Sequence, residues 1–306
     1  MSRRWPCFVG LCALILAACS DAAADPDMAV SIPETTPAMD RYAEFAVVVA
    51  RHQAMSERVA RISRRLRVAN SPLCDVTRHD VGLLTHQLDD YPPSLRALAL
   101  HFMALDEDGR FIRSVVPGSP ADRARLRAGE EIVSGWPFQA DQPLMVDNGD
   151  GAVPIRLQSD LACVAPAFVI NSDRLNASTD GREIELSSAL VEQVGDDAAL
   201  ALIIAHEMAH VLRGHHQYGL HWNAELQADA DALTLMRNAD YDIDGTVAAW
   251  EMGVDAHRDS QAMSATHPPL EIRLRNLEGA LATLNNGPAG FRPLSDASRE
   301  RDASGD

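Results

Sequence analysis

The sequence predicts an α+β fold: a mainly helical body with a small sheet, into which a β-rich segment is inserted. Three observations carry this. Residues 40 to 69 form an amphipathic run without Pro or Gly. Residues 79 to 158 hold short apolar runs broken by turn signals, with no long helical period. Residues 198 to 214 are apolar almost all the way round a helix.

In the first run Phe45, Val48, Val49, His52, Met55, Val59, Ile62 and Leu66 recur at helical spacing, so one long helix is expected, ended by Asn70-Ser71-Pro72. Past the turn-rich segment, Arg182 to Ser187 reads as a strand and Ser188 to Val194 as a short helix. Asp196 and Asp197 offer an N-cap and a favourable charge to the next helix, Ala198 to about Gly214. Another helix, Trp222 to Arg237, follows a turn around Gly219.

At 306 residues and 46% hydrophobic content the chain can build one large domain or two ordinary ones. A formal net charge of -17 leaves no basic stripe for phosphates, which argues against nucleic acid as a partner. At the N-terminus Arg3 and Arg4 precede an apolar run, Phe8 to Ala18, of signal-peptide length and too short to cross a bilayer. Leu16-Ala17-Ala18-Cys19 resembles a bacterial lipobox, which implies that residues 1–18 are removed and that Cys19 carries a lipid anchor to the membrane. Ser20 in place of Asp points to the outer membrane, so the expected location is the bacterial cell envelope, on the periplasmic side. Residues 19–39 read as a flexible linker and 286–306 as a disordered tail. Of the five Cys, Cys74 and Cys163 then remain as thiols, and an oxidising compartment suggests one disulfide between them.

Two imidazoles and a carboxylate within an apolar helix need an explanation, because each buried polar group costs about 2–7 kcal/mol unless it is paired or metal-bound. His206-Glu207-Met208-Ala209-His210 supplies one: His206 and His210 stand one turn apart on one face and can reach a single ion. Glu207 lies about 100° round the helix, where it can face a water on that ion without ligating it. A catalytic zinc needs a third protein ligand and an open position. Glu225 is the candidate, and Asp229, one turn on, is spaced to bond the second nitrogen of a ligating His. His215, His216 and His221 are rival third ligands, with His215 and His216 expected at the surface.

Two resemblances add to this. Ile112 through Ala121, followed by Leu126 through Val133, resembles the core of a PDZ domain, which implies a PDZ-like domain over 79–158 that captures a peptide C-terminus as an added strand, with its carboxylate loop near Ala97 to Leu100. Arg125, where that family favours Gly, and Glu130, where it favours Asp, depart from the pattern. The motifs His206-Glu-Met-Ala-His210, Glu225-Leu-Gln-Ala-Asp229 and Thr266-His267-Pro-Pro through Arg273 resemble the gluzincin peptidases of the HtpX and CAAX-prenyl-protease type. That resemblance implies a zincin-like metallopeptidase domain over 40–78 and 159–285, holding one zinc per chain and acting on polypeptide substrates. It further implies Glu207 as general base, His267 as a donor to the oxyanion and Arg273 in a structural ion pair. The chain lacks the multi-span membrane region of some members, so a soluble lipoprotein branch fits better than an intramembrane protease. The strand near Ile184 is expected to pair with extended substrate. The rival reading is a lipid-anchored peptide-binding chaperone or assembly factor with a structural zinc.

Overall fold

A computed structural model describes residues 37–103, 105–217, 221–246, 268–287 and 294. Met1–Asp40 and Arg41–Asp306 separate as two units, and of the first only the opening turn of a helix is described. That helix, α1 (Pro37–Ala69), begins inside the segment expected to be linker, because a Pro suits a first turn, where its missing N–H is not needed. Only its second half uses the apolar periodicity for burial: Val59, Ile62 and Leu66 are fully buried, whereas Val47 and Val48 are 67% and 62% exposed. At its end the Asn70 amide donates to Leu66 O and to Leu235 O, both at 2.9 Å, which closes the helix and ties it to a later one.

A 3-10 turn at Ser71–Leu73 leads to β1 (Thr77–Asp80), which pairs antiparallel with β7 (Asp160–Cys163). Between them runs the β-rich insert: β2 (Leu83–Gln87), α2 (Pro93–Phe102), β3 (Arg110–Val115), α3 (Pro120–Arg123), β4 (Glu131–Ser134), β5 (Leu144–Asp147) and β6 (Ala152–Ile155). Its five strands form an antiparallel meander in chain order around their own apolar core, which includes Ile112, Leu126, Ile132, Leu144 and Val146. The β1–β7 pair is the neck of the insert. Arg64 and Arg67 of α1 clamp it through Asp80, at 2.8 and 3.2 Å, Arg64 also reaching Asp160. At its base Cys74 and Cys163 are joined by a disulfide, their Cα atoms 5.6 Å apart.

Two details of the insert depart from expectation. Ala97 to Leu100 lie inside α2 and offer no loop for a carboxylate, since Pro92 and Pro93 open a helix rather than a turn. Arg125, standing where the PDZ pattern favours Gly, takes the left-handed conformation that Gly would adopt, with φ of 62°.

After the neck the chain forms β8 (Ala167–Ile170), β9 (Ala177–Thr179) and β10 (Ile184–Ser187), in the order β8-β10-β9. The Ile184 strand is therefore central, with its hydrogen-bonding groups shared between a parallel and an antiparallel neighbour, and it has none left for a substrate. β9 is an edge. In the β9–β10 turn Gly181 is required, because a Cβ there would lie 2.3 Å from the His216 ring. Among the described residues four α-helices follow: α4 (Ser188–Gln193), α5 (Asp197–Arg213), α6 (Trp222–Asn238) and α7 (Leu270–Asn286). With α1 and the three-stranded sheet they enclose a second core that includes Ile62, Leu66, Ile184, Leu186, Leu200, Ile204, Met208, Leu233 and Leu277. Leu294, within the stretch expected to be a tail, packs against this core.

Candidate metal centre

The centre is built where α5 meets α6. Asp196 caps α5, its carboxylate accepting from the N–H groups of Ala198 and Ala199 at 2.9 Å, and Asp197 pairs with Arg58 of α1 at 2.7 Å. Ala201, Ala205 and Ala209 form a buried i, i+4 row on α5, and Ala224, Ala228 and Ala232 form one on α6. Such small rows let two helices approach closely. The polar residues occupy the same ladder shifted by one position: His206 and His210 on α5, Glu225 and Asp229 on α6. The packing of α5 on α6 brings these four side chains together.

The His206 and His210 Nε2 atoms are 3.1 Å apart, and each lies 3.5 Å from one oxygen of Glu225. Two imidazole nitrogens and a carboxylate bound tetrahedrally to zinc at about 2.0–2.1 Å stand about 3.3 Å from one another, so the spacing fits that ion. All three residues are buried, Glu225 fully. Among the described residues they are the one set of three or more His, Cys, Asp or Glu placed to hold a metal.

Hydrogen bonds on the far sides of the rings decide which nitrogens face inward. His206 Nδ1 lies 2.9 Å from Asp229, which only accepts when ionised, so the ring donates from Nδ1 and, in its neutral form, has its lone pair on Nε2. Arg273 of α7 grips the same carboxylate through Nε at 2.9 Å and Nη2 at 2.5 Å. Burial alone would raise the Asp229 carboxyl, but the bonds from Arg273 and His206 outweigh it and hold the pKa below the usual range. Burial likewise works against a charge on His206, yet its bonds to Asp229 and Glu225 raise it to about 9; burial and the neighbouring His206 push His210 down to about 3. Protein groups alone thus recruit a proton to balance two buried carboxylates. A divalent cation among the three donors does the same more fully, which is the second way the residues fit a metal.

Glu207 is half-buried beside His206 and lies within the electrostatic reach of Arg273. His267 and Cys19 lie outside the described residues, as does the turn around Gly219. Among the rival ligands, His216 is exposed and sits on Gly181, while His221 caps α6 by accepting from the Ala224 N–H at 3.1 Å. His215 departs from expectation. It is 9% exposed rather than at the surface, because Gly214, left-handed at φ 64°, turns the chain back and delivers its ring to His210. Sequence reasoning also missed the bidentate pair of Arg213 with buried Asp231, at 2.8 and 3.1 Å, which fastens the end of α5 to α6. Burial raises the Asp231 pKa, the Arg213 bonds opposing it. A spacing signal existed for neither: the Arg213 contact arises from the crossing of α5 and α6, and the His215 contact from the direction in which the chain leaves Gly214.

Two histidines one turn apart on one helix, completed by a carboxylate from the next and flanked by a half-buried Glu, define a candidate metal centre of the hydrolytic kind. The family model for Peptidase family M48 matches residues 162–224 and 219–281, less than half of the chain, and supports a zinc metallopeptidase of the M48 type. The matched residues contain every motif position from His206 to Arg273 and leave β2 to β6 outside. No curated protein matches the chain.

Proposed function

We propose that this chain is a zinc-dependent endopeptidase that hydrolyses unfolded or peptide-like proteins of the bacterial envelope. The observation that supports it most is the meeting of His206, His210 and Glu225 at 3.1–3.5 Å with Glu207 beside them. Zinc, when bound, supplies Lewis acidity toward a scissile carbonyl and makes a water acidic enough to lose its proton near neutrality. Glu207 takes that proton and returns it to the leaving amine. Asp229 and Arg273 hold the His206 ring in place. His267 donates to the developing oxyanion.

Substrate orientation follows from the sheet. Ser187 N bonds to Asn176 O at 2.9 Å, so alternation makes Glu185 and Ser178 the next bonded pair. Ala177 and Thr179 then turn their N–H and C=O groups to the open side of β9, which packs against α5. An extended chain segment added there as a strand would run past the metal centre, and folded proteins would have to unfold locally to offer one. The five-stranded insert, with its separate core, supports a PDZ-like domain whose expected carboxylate loop is replaced by α2, and the Leu16–Cys19 motif supports a lipid anchor at Cys19 on the periplasmic side of the outer membrane.

The test compares purified wild type with Glu207→Gln for zinc content and for cleavage of unfolded casein. One zinc per chain in both, with hydrolysis reduced about 10²–10⁴-fold in the variant, is the expected result. Zinc-loaded wild type that cleaves no better than Glu207→Gln contradicts the proposal and favours the chaperone reading.

A further inference from the structure

We infer that His215 is a positioning residue for the metal centre: through its bond to His210 it fixes which nitrogen of that ring faces the metal. The inference rests on the reading of the site as a zinc centre and concerns a residue that neither spacing nor motif assigned. His215 lies in the turn after α5, and its Nδ1 is 2.9 Å from His210 Nδ1. Two facing ring nitrogens can bond only if one carries the proton and the other a lone pair. The other side of His215 decides between them. Its Nε2 lies 3.2 Å from Gln227 Oε1, and an amide oxygen only accepts, so His215 carries its proton on Nε2. Its Nδ1 is then the acceptor, His210 donates from Nδ1, and the lone pair of His210 Nε2 is left toward Glu225 and His206.

Each ring of the pair is thus oriented by the same helix, α6, in a different way. Asp229 instructs His206 directly with a negative charge, while Gln227 instructs His210 through a neutral intermediary. The neutral route suits the charge of the site. Glu225, Asp229 and Glu207 already balance a divalent ion and Arg273, and another carboxylate behind His210 would leave excess negative charge in a buried place. A bare water could accept from His210, but it would not fix the ring plane, whereas His215, 9% exposed and stacked edge-on with ring centroids 5.0 Å apart, does both.

The experiment measures zinc affinity by chelator competition, and the visible spectrum of the cobalt-substituted protein, for wild type, His215→Leu, His215→Asn and Gln227→Leu. Melting of each EDTA-treated protein shows whether the fold is kept. His215→Leu fills the space without an acceptor and is expected to bind zinc about 10–100-fold more weakly, with an altered cobalt spectrum. The Asn oxygen stands as many bonds from the backbone as His Nδ1 does, so His215→Asn recovers most of the affinity. Gln227→Leu frees the His215 tautomer without touching His210 and lowers affinity by a smaller factor, which keeps the test decisive should His215→Leu not fold. A Leu variant at 215 that binds as tightly as wild type, an Asn variant as weak as Leu, or unchanged affinity in Gln227→Leu each overturns the inference. Wild type that binds no zinc overturns instead the peptidase reading on which it stands.

Discussion

Arg273 in the helical body and Arg113 in the insert both reach a histidine, yet they keep different company. Arg273 makes a two-point pair with Asp229, and that carboxylate in turn holds His206 at 2.9 Å. Arg113, on β3, faces α1 at the seam between insert and body: its Nη2 lies 3.3 Å from His52 Nδ1 and 3.4 Å from Ser56 Oγ, and its buried Nε has no hydrogen-bond partner among the described residues. A cation matched by a carboxylate stabilises its surroundings in one geometry, as a metal site requires. A cation matched by neutral rings and hydroxyls does so only while those rings stay neutral. The body is therefore built for precision and the seam for adjustability.

Removing one partner from each pairing should separate the two regions most. Asp229→Ala strands Arg273 in a largely buried place and should cost about 3–5 kcal/mol in urea unfolding of the EDTA-treated protein. Arg113→Met, which replaces an incompletely satisfied cation with an apolar chain, should be neutral or stabilising; an equal loss in both variants would remove the distinction.

A second test uses pH. Burial, with the nearby Arg113 adding to it, pushes His86 down to about 4, while its Nδ1 lies 2.9 Å from the Tyr91 hydroxyl. His52 is lowered by the same two causes in the same order. A depressed pKa means that below about 6.5 the unfolded chain takes up a proton that the folded His86 refuses. The stability His86 contributes is therefore complete above that pH and drains away as pH falls toward 4. The urea midpoint should drop across this window, and His86→Leu should flatten the drop; identical slopes in the two proteins would show that the seam does not respond to acid through His86.

The smallest effect sharpens the picture of the insert. Arg125 is exposed and left-handed, and Arg125→Gly removes a conformational cost of about 1–2 kcal/mol against an entropic loss of about 0.5–1 kcal/mol. The net gain should be at most about 1.5 kcal/mol, read as a slightly higher melting temperature with no change in zinc affinity.

Much of the body could be read in the sequence because its signals are local. The i, i+4 spacing of His206 and His210, the Asp196 cap and the Gly214 stop each depend on neighbours within one or two turns, and α5 runs from Asp197 to Arg213 as they imply. Glu225 and Asp229 were legible once a ligand was known to be wanted. What stayed hidden depends on the path and crossing of elements: the course of the chain after Gly214 that buries His215, the pairing of Arg213 with Asp231 between α5 and α6, and the central place of β10, which passes the open edge to β9. The insert was legible as short strands and turns, but not in its helix α2, where two prolines look like a loop signal and instead begin a helix.

X-ray absorption at the zinc edge reads whether two imidazoles and one carboxylate hold a single zinc and leave a place for solvent. The expected spectrum has two imidazoles at about 2.0–2.1 Å with the remaining ligands oxygen, and Glu225→Ala should lose one oxygen ligand or the metal. Three or more imidazoles, any sulfur ligand, or a spectrum unchanged by Glu225→Ala would contradict it.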